Sequence, residues 1–367
     1  MKKPFVKGGK ALTLTAALLC TAAFLGSLMA FGTTAQAKTQ AEAQAFTPGV
    51  AGRITSCKIS GDKQNVEIGF SSTGDVTGTD GNIYIFEMQP YEEELGSRGN
   101  FIASSPALSA ASVSVPLNLG TPQDKLYSRF VLAVFDGTKF IKVSQPHYIT
   151  NPELIAKNQT PFNDPLTKKG LVIEIDMLND AFDLGVKHVT TNIAFSQIMG
   201  TGIDYQYDGK TYHFNKGVVD AYDKTISALS NKGMTVTVIL LNDWNPNTPD
   251  LVYPGTQKNS NAFYYMFNAE TEAGFDQTKA IASFLAQHYS GGNPNYGKVS
   301  NWIIGNEINN QQWNYMGAMD LTNYVKAYQK AFRVIYTAIK STNANDRVYF
   351  SLDYNWMNEI DGKQIGR

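Results

Sequence analysis

The residues best placed to do chemistry stand together in Trp302-Ile303-Ile304-Gly305-Asn306-Glu307-Ile308-Asn309. An apolar run of strand length ends in a glycine, and an amide and a carboxyl follow it. A carboxyl at the end of a strand can give a proton to a leaving oxygen and later take one from water. The Asn306 amide beside Glu307 can hydrogen-bond a hydroxyl next to the reacting carbon. Cleaving a glycosidic bond needs one carboxylic acid of this kind and a second carboxylate on the other side of the sugar. The acid must stay protonated near neutral pH, which partial burial by Trp302 or Trp313 would favour. Alone, Asn-Glu after an apolar strand is a modest signal, because a Glu there can equally cap the next helix or meet a nearby Lys.

Asn192, Asp243, Trp244 and Trp356 fall at or just past other strand ends, and Trp313 follows Glu307 in Gln312-Trp313-Asn314-Tyr315. As a subsite lining, their rings would stack on sugar faces and their polar groups would bind hydroxyls. The competing reading is rim packing and turn capping. Asp353 and Glu359 read as a loop-face hydrogen bonder and a solvated carboxylate. His147 reads as structural, His188 lies at the start of a strand and so at the wrong end for catalysis, and His213 reads as exposed. No His/Asp/Glu cluster has metal-ligand spacing, so neither a metal nor another cofactor is expected. No Gly-x-Ser-x-Gly elbow occurs, which argues against an α/β hydrolase.

The elements that must carry these residues change grammar near Thr150. From Gly52 to about Ile149, short alternating segments are separated by turn residues, the pattern of an antiparallel β-sandwich over residues 51–150. Asn151-Pro152 and Thr160-Pro161 punctuate a linker over 151–165. Beyond Lys169, strands alternate with helices. Strands are expected at Leu171–Ile175, His188–Ala194, Thr235–Leu241, Val299–Ile304 and Arg347–Leu352. Helices are expected at Leu178–Leu184, Val218–Ser230, Phe275–Tyr289 and Leu321–Ile339. Such alternation means a parallel sheet. No Gly-rich phosphate loop follows the first strand, which disfavours a nucleotide-binding sheet. Tyr205–Tyr212 reads as a hairpin on an Asp208-Gly209 turn. That hairpin and the 242–274 segment make long loops after the second and third strands, the side on which β/α barrels build active sites.

The chain has 367 residues, enough for two domains, with 43% hydrophobic and 12% aromatic residues. A formal net charge of −1 gives no reason to expect nucleic acid or an acidic surface as partner. Lys2, Lys3, Lys7 and Lys10, an apolar stretch from Ala11 to Phe31, and Ala35-Gln36-Ala37 make the pattern of a secretory signal peptide over residues 1–37. A retained membrane anchor is the alternative. Residues 1–37 hold four of the 31 basic side chains and no acidic one, so without them the net charge falls to −5. That balance suits a soluble extracellular protein with no stable membrane insertion. Residues 38–50 read as a flexible leader. After cleavage only Cys57 remains, which excludes an internal disulfide and reads as a small buried residue in a strand.

Trp302-Ile303-Ile304-Gly305-Asn306-Glu307 resembles the motif of a large clan of retaining glycosidases with (β/α)8 barrels, which keeps Asn-Glu after its fourth strand. Lys232–Leu240 resembles that clan's usual third strand, and the architectural likeness covers about residues 166–367. Tyr84-Ile85-Phe86-Glu87, Pro146–Glu153 and Gly305-Asn306-Glu307 together look like a family of secreted, largely uncharacterised glycosidase-like proteins. In that family a β-rich domain precedes the barrel. The resemblance implies that Glu307 is the proton donor and Asn306 a substrate-binding residue. It also implies a nucleophilic Glu after a seventh strand. Only about five barrel strands are expected here, over about 200 residues against about 250 in a typical barrel. The expectation is therefore an all-β sandwich followed by a TIM-type barrel truncated after about five strands, a fragment inactive alone. A carbohydrate-binding surface protein without turnover is the alternative.

Overall fold

The computed structural model describes residues 52–72, 78–173, 175–354 and 356. The chain divides into two compact units, Met1–Val50 and Ala51–Arg367, and every described residue belongs to the second. The expected signal peptide, the leader and Glu359 lie outside the described residues.

The first layers are two antiparallel sheets. One holds β1 (Gly52–Ile59), β2 (Asn65–Ser72) and β5 (Ala111–Pro116), in the order β1-β2-β5. The other runs β4 (Ala103–Pro106), β3 (Asn82–Met88), β6 (Arg129–Phe135) and β7 (Phe140–Lys142), with β8 (His147–Tyr148) also paired to β6. Strand alternation explains the packing. Ile54, Cys57 and Ile59 of β1 and Val66, Ile68 and Phe70 of β2 point inward, and they meet Ile83, Ile85, Phe130, Leu132 and Val134 in one core. Val131 and Ala133, on the other face of β6, join Phe86, Met88 and Leu95 in a second core. Cys57 is fully buried, as its strand position implies, and burial pushes its thiol up to about 12.

Residues expected as a linker are pinned at both ends. The Asn151 side chain accepts from Ile59 N at 2.8 Å and donates to Ile59 O at 3.0 Å. Asn158 donates through Nδ2 to Ser290 O (2.9 Å) and Asn343 Oδ1 (2.7 Å), on the far side of the molecule in sequence.

The second part is a parallel sheet of five strands: β9 (Gly170–Val172), β10 (His188–Ala194), β13 (Thr235–Leu241), β14 (Asn301–Ile304) and β15 (Arg347–Tyr349). They lie side by side in chain order, without the reversal that marks a doubly wound sheet. Barrel strands follow one another in this way, although among the described residues the sheet is open, with β9 and β15 at its edges. β11 (Gly202–Tyr207) and β12 (Lys210–Asn215) form the hairpin expected on Asp208-Gly209. The helices are α1 (Leu178–Asp183), α2 (Phe195–Ile198), α3 (Lys216–Ser230), α4 (Glu272–His288) and α5 (Leu321–Thr342). Side chains of Asn215, Thr271 and Asp320 accept the first free backbone N–H groups of α3, α4 and α5.

One face of the sheet packs on these helices. Val236, Val238 and Leu240 of β13, and Trp302 and Ile304 of β14, are buried with Ile226, Ile281, Leu285, Val334 and Ile335. Burying each such side chain contributes about 1.5–3 kcal/mol. The opposite face carries a row in register, Asn192, Ile239, Ile303 and Tyr349, of which Asn192 and Tyr349 are exposed. The two parts meet through Tyr127, whose hydroxyl lies 3.2 Å from that of Tyr207 and 3.4 Å from Ser283 Oγ. Lys330 of α5, almost wholly buried, bridges Glu93 to Glu270.

Candidate active site

The site starts where β14 stops. Gly305 continues the ladder by donating its N–H to Leu240 O at 2.9 Å, and Tyr328 donates its hydroxyl to Ile304 O at 2.7 Å. The chain then turns through left-handed backbone at Gly305 (φ 74°) and again at Glu307 (φ 43°). A Cβ at Gly305 would also sit 2.9 Å from Ile308 Cγ2, so glycine meets two demands there. Glu307 has no such freedom, and its left-handed conformation costs about 1–2 kcal/mol. Hydrogen bonds on both sides of the residue offset that cost. Glu307 donates its N–H to Ser351 Oγ at 2.9 Å, and its carbonyl accepts from Asn310 N at 2.7 Å. Ile308 N donates to Ser351 O at 3.0 Å, so the strand-end loops after β14 and β15 stay joined.

Asn306 and Glu307 are half-buried at this turn. Ser351 Oγ lies 3.4 Å from Asn306 Oδ1 and donates to it. The Glu307 carboxyl is held above the usual range for a glutamate, first by desolvation and second by the negative charge of Asp353. Asp353 braces the turn: its Oδ1 accepts from Asn309 Nδ2 (2.9 Å), its N–H donates to Asn309 Oδ1 (2.7 Å), and its Oδ2 accepts from Asn310 Nδ2 (3.5 Å).

Asp243 and Trp244 follow the neighbouring strand. Leu240 pairs with Ile304, so Asp243 and Glu307 each lie three residues beyond that pair, on adjacent strand ends. Asp243 accepts from Gln197 Nε2 at 2.5 Å, and the Trp244 ring is 5.4 Å from Tyr265. The loops after β13 and β14 are laced together: Phe263 N donates to Gln312 O, Tyr315 N to Tyr264 O, and Met266 N to Tyr315 O. This lacing assembles a ring cluster. Trp313 packs 4.9 Å from Phe263 and is stacked 6.0 Å from Tyr264, while Tyr265 meets Tyr315 edge-on at 5.7 Å. Phe263 is 58% exposed, so the cluster has a free apolar face.

The structure thus gathers Asn306, Glu307, Asp243, Trp244 and Trp313 at neighbouring strand ends. Asn192 sits lower, two residues before the end of β10 and on the open sheet face. Trp356 is 58% exposed and is linked to the site through its N–H, which donates to Asp353 O at 3.2 Å. The expectation that Trp302 helps bury Glu307 is corrected. Alternation turns its ring into the helix-facing core, where its Nε1 donates to Asp346 Oδ2 at 2.9 Å, ahead of β15 rather than after it. Ser351, Gln197 and Phe263 join the site although no motif in the sequence marks them. Ser351 carried one signal, its place near the end of the expected fifth strand, which in the structure stops at Tyr349, but its pairing with Glu307 depends on register. His188 bonds Thr167 O at 3.0 Å at the opposite end of β10, and His213, exposed, meets Asp204 at 2.7 Å. Among the described residues no group of three or more His, Cys, Asp or Glu is arranged to hold a metal, and no helix is long and apolar enough to cross a membrane.

A parallel sheet whose fourth strand delivers an Asn-Glu pair defines a class of protein with a carboxyl poised at a strand end. Residues 161–366 match the model of a family of unknown function, DUF5722, and the chain belongs to that family. No curated protein matches it. Solved structures similar to this chain include glycoside hydrolases. One is a β-glycosidase from Thermosphaera aggregans, 14% identical, with a TM-score of 0.32, covering 50% of this chain and 43% of that one. A family 39 glycoside hydrolase from Bacteroides cellulosilyticus is 14% identical, with a TM-score of 0.32, covering 82% of this chain and 48% of that one. A family 1 β-glucosidase from Thermotoga maritima is 18% identical, with a TM-score of 0.31, covering 48% and 35%. The chain spans less than half the length of each of these three.

Proposed function

We propose that this is an exported glycosidase-like protein whose TIM-type barrel uses Glu307 as general acid and base on a poly- or oligosaccharide. The observation that carries the reading is the Glu307 turn itself. A carboxyl with raised proton affinity sits at the end of the fourth parallel strand, beside an amide, in a left-handed backbone held by the next strand. In this reading Glu307 protonates the leaving oxygen. A nucleophilic carboxylate from outside the described residues takes the sugar, and Glu307 then removes a proton from the water that releases it. Asn306 binds the hydroxyl beside the reacting carbon. Asp243, Trp244 and Trp313 line the neighbouring subsites, with Trp313 and Phe263 offering a face for a sugar ring. Asp353 serves as a brace, since both its carboxylate oxygens accept from Asn309 and Asn310. Export rests on the pattern of residues 1–37, and the N-terminus of the mature protein, read by mass spectrometry, checks it.

The test is an assay of the complete gene product on a polysaccharide and aryl-glycoside panel. Glu307→Gln should lower kcat by at least about 10³-fold. Full activity in that variant sinks the assignment. The ring cluster fits a second reading, a carbohydrate-binding protein without turnover. Saccharide binding by a wild type that hydrolyses nothing on the panel would select it.

A further inference from the structure

We infer that Ser351, just past the fifth parallel strand, is the positioning residue for the Asn306–Glu307 pair. The inference rests on the reading of Glu307 as acid and base. One hydroxyl serves two consecutive residues: Ser351 Oγ accepts the Glu307 N–H at 2.9 Å and, at 3.4 Å, donates its proton to Asn306 Oδ1. The two bonds do different work. The first holds Glu307 at φ 43°, a backbone that an L-residue keeps only when its surroundings impose it. Without it the peptide can relax toward right-handed backbone, and the carboxyl leaves its place. The second bond occupies the Asn306 amide oxygen. The hydroxyl thus ties the Asn306 side chain to the same atom that holds the Glu307 backbone, so the two residues are positioned together.

Ser351 also accepts from Ile308 N through its own carbonyl, at 3.0 Å. That backbone bond persists whatever side chain stands at 351, so the loops after β14 and β15 remain joined when the hydroxyl is removed. Asp353, two residues on, separately braces Asn309 and Asn310. The hydroxyl can therefore be deleted with the rest of the turn still supported. A serine that merely finished a strand would affect stability alone. One that positions Glu307 should affect kcat more than KM and should act locally.

The experiment compares Ser351→Ala and Ser351→Thr with the wild type in the complete gene product. Hydrogen–deuterium exchange of the peptide spanning residues 305–310 reads the clamp, and kcat and KM on an aryl glycoside read its consequence. In Ser351→Ala the Glu307 amide should exchange about tenfold faster or more, with exchange elsewhere unchanged. On the same variant kcat should fall about tenfold or more while KM moves less than about threefold. Ser351→Thr, which keeps the hydroxyl, should restore both. Unchanged exchange at Glu307 in the alanine variant overturns the clamp, and so does a kcat loss that merely tracks global unfolding. A wild type that cleaves no glycoside overturns the glycosidase reading instead, and the exchange result then decides the clamp by itself.

Discussion

Asp346 should make the protein less stable as pH rises, and replacing it with asparagine should remove that dependence. Asp346 is buried just ahead of β15, with Oδ2 accepting from the indole of Trp302 at 2.9 Å. Desolvation pushes its carboxyl up to about 7, against 3.8 when unperturbed, and the hydrogen bond and the charges of Lys298 and Lys340 offset only part of that. The sign follows from proton counting. Between these two values the folded chain binds more protons than the unfolded one, so stability falls as pH rises. At 1.36 kcal/mol per unit, the shift is worth up to about 4 kcal/mol, of which about 3 kcal/mol is lost between pH 5 and pH 8. For a chain of this size that is roughly 5–10 °C in Tm. An asparagine can accept from Trp302 through its amide oxygen and does not titrate. The assay is thermal unfolding by circular dichroism at pH 5, 6, 7 and 8 for wild type and Asp346→Asn. The difference between the two Tm curves should widen in favour of the variant as pH rises. Parallel curves would refute the buried, proton-retaining aspartate.

Three further expectations concern the site and the first core. Asp353→Asn removes the negative charge that, second to desolvation, raises the Glu307 carboxyl, which should then lose its proton at lower pH; the alkaline limb of the kcat/KM profile should move down, and an unmoved or upward-shifted limb contradicts the coupling. Trp313→Ala should weaken oligosaccharide binding by about 1–2 kcal/mol, roughly tenfold in Kd by titration calorimetry, because it opens the stack with Tyr264 and Phe263. Cys57, buried in β1 with its thiol pushed up to about 12, should resist a thiol reagent in the native protein and react within the unfolding transition; prompt native labelling would argue against the first core as described.

Much of the scaffold was legible one-dimensionally. His188–Ala194 and Thr235–Leu241 are rich in β-branched residues, and both strands occupy the expected residues. The Asp208-Gly209 turn marked its hairpin because both residues adopt positive φ there. The short β4 and β8 left no comparable trace, since Ala103–Pro106 and His147–Tyr148 owe their extended form to partners already in a sheet. The segment over 151–165 reads as a linker, and within it Asn151 and Asn158 bond to residues more than 90 positions away.

The sequence by itself placed an amide and a carboxyl after an apolar strand, and it determined the alternation that makes the sheet parallel. Local physics sufficed for both, because side-chain period and turn residues act over a few positions. Tertiary structure decided which groups meet Glu307. Register set Ser351 beneath its amide and Asp353 beside its charge, and alternation took Trp302 into the helix-facing core. Those assignments depend on how far each strand slides against its neighbour, a quantity fixed by packing across the whole sheet and carried by no single segment.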